Sequence, residues 1–65
     1  MGDNKLQIEG FLKDHPQGTS IEELSSRMGV GRQAVKVILS ELKGEGKIIE
    51  RAIGQVKLHY WKWEK

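Results

Sequence analysis

Apolar residues recur along this chain at two spacings, and the change from one to the other divides it into three helices and a hairpin. Ile8, Phe11, Leu12 and His15 follow the i, i+3, i+4, i+7 rule and predict a first helix over residues 4–14. Leu6 falls off that stripe and is expected to face solvent. Pro16 disfavours helical geometry at His15, and Gly18 supplies turn freedom, so the helix stops there. Ser20-Ile21-Glu22-Glu23 has the form of a capping box, in which the Ser20 hydroxyl and the Glu23 carboxylate satisfy each other's exposed backbone amides. It predicts a second, short helix over residues 21–28, with Ile21, Leu24 and Met28 on one face and Gly29 as a left-handed stop. Thr19 and Ser20 are also suited to a brief extended segment ahead of it. Only Val30 and Gly31 separate this helix from a third over residues 32–43, where Val35, Ile38, Leu39 and Leu42 fall within an arc of roughly 100°.

After Gly44-Glu45-Gly46 the period drops to two. Residues 47–53 and 56–63 read as strands flanking Gly54-Gln55, which suits a two-residue II′ turn with glycine first. That turn sets Ile53 opposite Val56, Arg51 opposite Leu58, Glu50 opposite His59, Ile49 opposite Tyr60 and Ile48 opposite Trp61. Alternation then puts Ile48, Trp61 and Trp63 on one face and Ile49, Leu58 and Tyr60 on the other. Trp61 and Trp63 are expected to pack, because a small domain needs large side chains and each aromatic buries about 150–250 Å². The alternative is that at least one of them is an exposed binding platform, and Tyr60 suits either role.

Length and composition narrow the function. A chain of 65 residues holds one domain, and at that size it buries only roughly 60% of its unfolded surface. The absence of cysteine removes disulfides, thiolate catalysis and Cys-based zinc sites. No apolar run approaches the ~20 residues that span a bilayer, and MGDNKLQIEG lacks the apolar region of a secretion signal, so an intracellular protein without a membrane partner is expected. His15 and His59 lack metal-ligand spacing, no triad or nucleophile elbow occurs, and no glycine run forms a phosphate-binding GxxxxGK loop. The expectation is no enzyme, no metal and no cofactor.

Net charge is +2, but unevenly spread. Residues 1–29 carry three Lys or Arg against five Asp or Glu, a net −2; residues 30–65 carry eight against four, a net +4. Opposite the apolar stripe of the third helix lie Gln33, Lys36 and Ser40, with Arg32 and Lys43 on the flank, Val37 at the edge and no acid on that face of the helix. Lys and Arg neutralise phosphates, Gln33 can read adenine with both amide groups, and the amides near Gly31 and Arg32 suit one phosphate. The pattern points to a face that meets a polyanion; the competing reading is a solvated Lys/Glu surface.

The order helix, helix, short turn, helix, hairpin, together with Leu24, Met28-Gly29-Val30, Val35, Leu39, Leu42, Gly46 and Ile48, resembles the winged helix-turn-helix superfamily of DNA-binding domains over residues 6–63. The resemblance implies an α+β fold of three helices and a C-terminal β-hairpin wing in a single domain over residues 1–65. By position, residues 32–43 are the recognition helix for the major groove, with Arg32, Gln33, Lys36, Val37 and Ser40 facing bases or phosphates and Lys43 adding charge. Arg51, Gln55 and Lys57 are then wing contacts. Gly31 stands where the family usually has Ser or Thr, so one hydroxyl contact to phosphate is missing. The chain is similar in length to the subclass that binds left-handed Z-DNA, but Lys36 and Ser40 replace that subclass's Asn and Tyr, and the hairpin has no proline. It is similar in layout to winged-helix tails of replication proteins that act through protein partners. The expected function is binding of duplex DNA in transcription regulation or replication. The alternative is a protein-interaction module using Ile49, Leu58 and Tyr60 of the hairpin; RNA or Z-form DNA is a minor third. The chain is expected to be a monomer, or a weak homodimer through Leu6 or the C-terminal strand.

Overall fold

Each helix ends where its own side chains and glycines stop it. The computed structural model describes residues 3–63, in the order α1 (Asp3–Asp14), β1 (Thr19–Ser20), α2 (Ile21–Met28), α3 (Arg32–Gly44), β2 (Ile48–Ile53) and β3 (Val56–Trp61). At the end of α1 the His15 ring stacks on Phe11 with centroids 4.0 Å apart, and its Nδ1 donates to the Phe11 carbonyl at 2.8 Å. The turn that follows depends on Gly18. Its φ is +102°, and a Cβ there would stand 2.7 Å from the Tyr60 ring, so a side chain would be strained and would also displace Tyr60.

Ser20 belongs to two elements at once. It ends β1, and its hydroxyl accepts the Glu23 amide at 3.1 Å as the N-cap of α2. No return bond from the Glu23 carboxylate forms among the described residues, so only half of the expected capping box is made. Gly29 takes the left-handed stop expected of it. The Ser25 carbonyl accepts the amides of both Gly29 and Val30, at 3.0 and 3.3 Å, and the Ser25 hydroxyl donates to the Val30 carbonyl at 2.6 Å. This clasp holds the two-residue link before Gly31, the N-cap of α3, and so fixes where α3 begins.

The sheet is antiparallel with strand order β1-β3-β2. Gly54 at φ +63°, with no positive φ at Gln55, makes the II′ turn, and every hairpin pairing from Ile53↔Val56 to Ile48↔Trp61 is as the turn requires. Thr19↔His59 and Ser20↔Leu58 add β1 on the far side of β3, which gives three strands rather than a hairpin alone. Strand β3 is central, with β1 and β2 at the two edges. Strand β2 begins at Ile48 rather than at 47, although the Lys62 amide still donates to the Lys47 carbonyl at 2.8 Å. The ladder stops there because the next partner, Gly46, sits in the turn at φ +75°.

The core is one cluster of Ile8 and Leu12 from α1, Leu24 from α2, Val35, Leu39 and Leu42 from α3, and Ile48 from β2. Phe11, Ile21, Met28, Val30, Ile38 and Trp61 pack around it. Trp63 does not. It lies past the end of β3 and is 60% exposed, its ring edge-on to Trp61 at 6.5 Å, because no strand residue continues below Ile48 to receive it. The packing role expected for both tryptophans therefore holds for Trp61, whose ring is also covered by the Lys13 ammonium at 4.7 Å. Leu6 is exposed, as its position off the stripe requires. None of the described helices is long and apolar enough to cross a membrane.

Leu24→Ala, in the centre of this core, should cost about 2–5 kcal/mol in urea or thermal unfolding. Leu6→Ala should stay within about 0.5 kcal/mol. Thr19 is fully buried, and its hydroxyl has no hydrogen-bond partner among the described residues. Thr19→Val removes a hydroxyl whose desolvation costs about 1–3 kcal/mol and should raise the unfolding midpoint.

Candidate functional site

Two periodicities meet above the sheet. On α3, Lys36, Ser40 and Lys43 follow one another at four and three residues and form one row. On the sheet, alternation sends Glu50 of β2 and Lys57 and His59 of β3 to the same side as Ile48, toward α3. The two rows enclose a cleft of about 230 Å³ lined by Lys36, Ser40, Lys43, Glu50, Lys57 and His59, with Ile21 and Leu39 as apolar walls.

The floor of the cleft is formed by His59 and Glu50, paired by register, with the buried Thr19 paired to His59 behind them. His59 is only 4% exposed, and its Nδ1 lies 3.2 Å from the Thr19 carbonyl oxygen. A carbonyl only accepts, so Nδ1 carries the hydrogen and donates. Burial is the main force that lowers the His59 pKa below its ordinary value, with Lys43 and Lys57 pushing the same way. The Thr19 carbonyl and Glu50 oppose them without reversing the outcome. Beside it, Glu50 accepts a hydrogen bond from Lys43 Nζ at 3.1 Å and lies 3.6 Å from Lys57 Nζ. The bond from Lys43 lowers the Glu50 pKa more than its partial burial raises it, so the carboxylate is ionised at neutral pH.

A second, shallower groove of about 450 Å³ adjoins this cleft. Arg32, Lys36, Gln55 and Lys57 line it together with Ser20, Ile21, Glu22 and Val56. Arg32 pairs there with Glu22 at 2.8 Å, and both side chains are mostly exposed. Such a pair contributes little to stability and exchanges readily for another anion.

Of the nine residues singled out from the sequence, Lys36, Ser40, Lys43 and Lys57 meet in the cleft, and Arg32 and Gln55 join Lys36 and Lys57 in the groove. Gln33 and Val37 are exposed on α3 beside them. Arg51 is separated from all of these. It opposes Leu58 on the outer face of the sheet, where it borders Pro16, Ile49, Tyr60 and Trp61. The α3 row itself is free of acids, as expected, but Glu50 and Glu22 reach it from β2 and α2. His59 and Glu50 were not among the residues singled out, yet the turn that sets Glu50 opposite His59 also sends both to the Ile48 side. No family model matches the chain, and neither a curated protein nor a solved structure gives a significant match.

Acid should destabilise the protein in two separate windows. Because the folded His59 value is lowered, the unfolded chain binds that proton more readily; stability is full above the ordinary value of 6.5 and falls as pH drops below it. Glu50 contributes above its ordinary value of 4.5, and that contribution is lost as pH falls through its lowered folded value. Urea unfolding from pH 8 downward should show both steps, and His59→Asn should remove the first while leaving the second.

Proposed function

We propose that the chain is a winged helix-turn-helix domain that binds duplex DNA, with α3 as the recognition helix in the major groove and the hairpin tip on the backbone. One observation carries the reading: cations from two separate elements, Arg32, Lys36 and Lys43 of α3 and Lys57 of β3, border one continuous cleft and groove, with Gln55 of the turn among them. An α3 of 13 residues is ~20 Å long, and the major groove admits a helix at ~12 Å wide. Lys36, Lys43 and Lys57 act on phosphates, and Arg32 exchanges Glu22 for a phosphate oxygen. Gln33 is exposed and carries an amide suited to a base edge. The alternative reading, a protein-interaction module, rests on the outer face of the hairpin. Ile49, Ile53 and Val56 are all about half exposed there, beside partly buried Leu58 and Tyr60, as in a protein-interaction module.

Binding of a random duplex, followed by fluorescence anisotropy at several salt concentrations, tests this reading. With four cations facing the DNA, log K should fall against log salt with a slope of about −3 to −4. Lys36→Glu should weaken binding more than tenfold. Arg51→Ala, on the other face, should change neither affinity nor slope. Unchanged affinity in Lys36→Glu, or no binding at ~50 mM salt, sinks the assignment.

A further inference from the structure

We propose that the cleft between α3 and the sheet is a proton-linked phosphate site, in which His59 takes up a proton when a phosphate group seats among Lys36, Lys43, Lys57 and Ser40. That the phosphate belongs to a duplex backbone rests on the function proposed above; the site itself does not.

His59 is the one nearly buried polar ring in the cleft. With Nδ1–H committed to the Thr19 carbonyl, the neutral ring has its lone pair on Nε2. Nε2 has no hydrogen-bond partner among the described residues, while the ring lines the cleft. Every charged group that faces it is named by the lining. Helix α3 contributes the Lys36 and Lys43 ammoniums, β3 contributes Lys57, β2 contributes the Glu50 carboxylate, α2 contributes only the apolar Ile21, and β1 meets the ring only through the Thr19 carbonyl. Three positive charges thus stand against one negative, and that one is already shared by Lys43 and Lys57. The volume of about 230 Å³ is several times the ~30 Å³ that a water molecule occupies.

An anion answers this excess, and a phosphate answers it with the right hydrogen bonds. Its oxygens accept from the ammoniums and from the Ser40 hydroxyl. A phosphodiester has no hydrogen to offer Nε2, so the neutral ring would meet an oxygen lone pair to lone pair. Protonation resolves the conflict. A proton from solvent adds to Nε2, and the imidazolium donates to a phosphate oxygen through Nε2 while still donating to Thr19 through Nδ1. The phosphate's negative charge favours the imidazolium, as Glu50 does, against the lysines and the burial that keep the free ring neutral. Binding therefore consumes one proton, and affinity rises as pH falls.

Two measurements test the site. In the first, duplex affinity is measured at constant ionic strength from about pH 8 to about pH 5.5, the range over which histidine changes charge. The wild type should tighten by up to about tenfold per pH unit, the limit for one proton. His59→Asn, which keeps an amide donor for the Thr19 carbonyl and removes the titrating group, should bind with no such dependence. In the second, dimethyl phosphate, a diester with no O–H, is added while the ring C–H signals of both histidines are followed by NMR. The His59 signals should shift and their titration should move to higher pH, with His15 as the internal control. A pH dependence that survives in His59→Asn, or dimethyl phosphate that leaves His59 untouched, overturns the proposal. DNA binding with the salt slope above but independent of pH leaves the DNA reading intact and removes this site. Dimethyl phosphate that shifts His59 in a protein that binds no duplex keeps the site and removes the DNA reading. If circular dichroism shows His59→Asn unfolded, the wild-type pH dependence and the NMR titration decide the matter together.

Discussion

The junction at Thr19 and Ser20 governs how the two layers of this protein meet. Within two residues the chain pairs with the central strand, offers a carbonyl to His59 and places a hydroxyl on the Glu23 amide that opens α2. Sheet and helices are thereby locked in a single relative position, since a strand residue that is also a helix cap leaves no linker to flex. The Ser25 clasp passes that position on to α3. Lys36, Ser40 and Lys43 end up above Lys57 and His59 because of these few hydrogen bonds as much as through the apolar cluster beneath them.

Charge on the cleft side is arranged for exchange. Glu50 keeps Lys43 and Lys57 close together in the free protein, where two ammoniums without a carboxylate between them would repel. Glu22 does the same for Arg32. These carboxylates orient the cations without binding them strongly, because the lysine and arginine ends remain mostly exposed. Of the acids in residues 1–29, Glu22 is the one that reaches the cations of α3 in this way. Lys5 bridges Glu41 and Glu45 from the other direction and fastens α1 to the end of α3, well away from the cleft.

Much of this was legible in the residues, for reasons that differ from element to element. The helices could be read because Ile8 and Leu12, Leu24, and Val35, Leu39 and Leu42 keep strict helical spacing, and their stops lie in local chemistry. The hairpin register could be read because a two-residue turn leaves no freedom once Gly54 is chosen. Alternation also carried the position of Glu50 and His59, but a reading that follows only apolar residues along a strand passes over polar ones that point inward. Arg51 shows the opposite hazard. Grouping the hairpin as one contact surface joins it to Lys57, whereas the pleat sends the two to opposite faces. The pairing of β1 with β3 had no local signal beyond the extended character of Thr19 and Ser20, because its partners stand far off in sequence. Trp61 and Trp63 share a face by alternation but differ in packing, because whether an alternating residue packs depends on whether the opposite strand continues beneath it.

The same distant pairing bears on how the molecule comes together. Helices and a tight hairpin form from neighbours and lose little chain entropy, whereas Thr19 and His59 are 40 residues apart and their meeting closes more than half of the chain into a loop. Lys13 over Trp61, 48 residues apart, closes a longer loop still, so the contacts of β3 with β1 and α1 carry the largest loop-closure costs of the fold. The cations of α3 lie within 12 residues of one another in sequence, whereas the cleft that gathers them with Lys57 and His59 exists only through pairings distant along the chain.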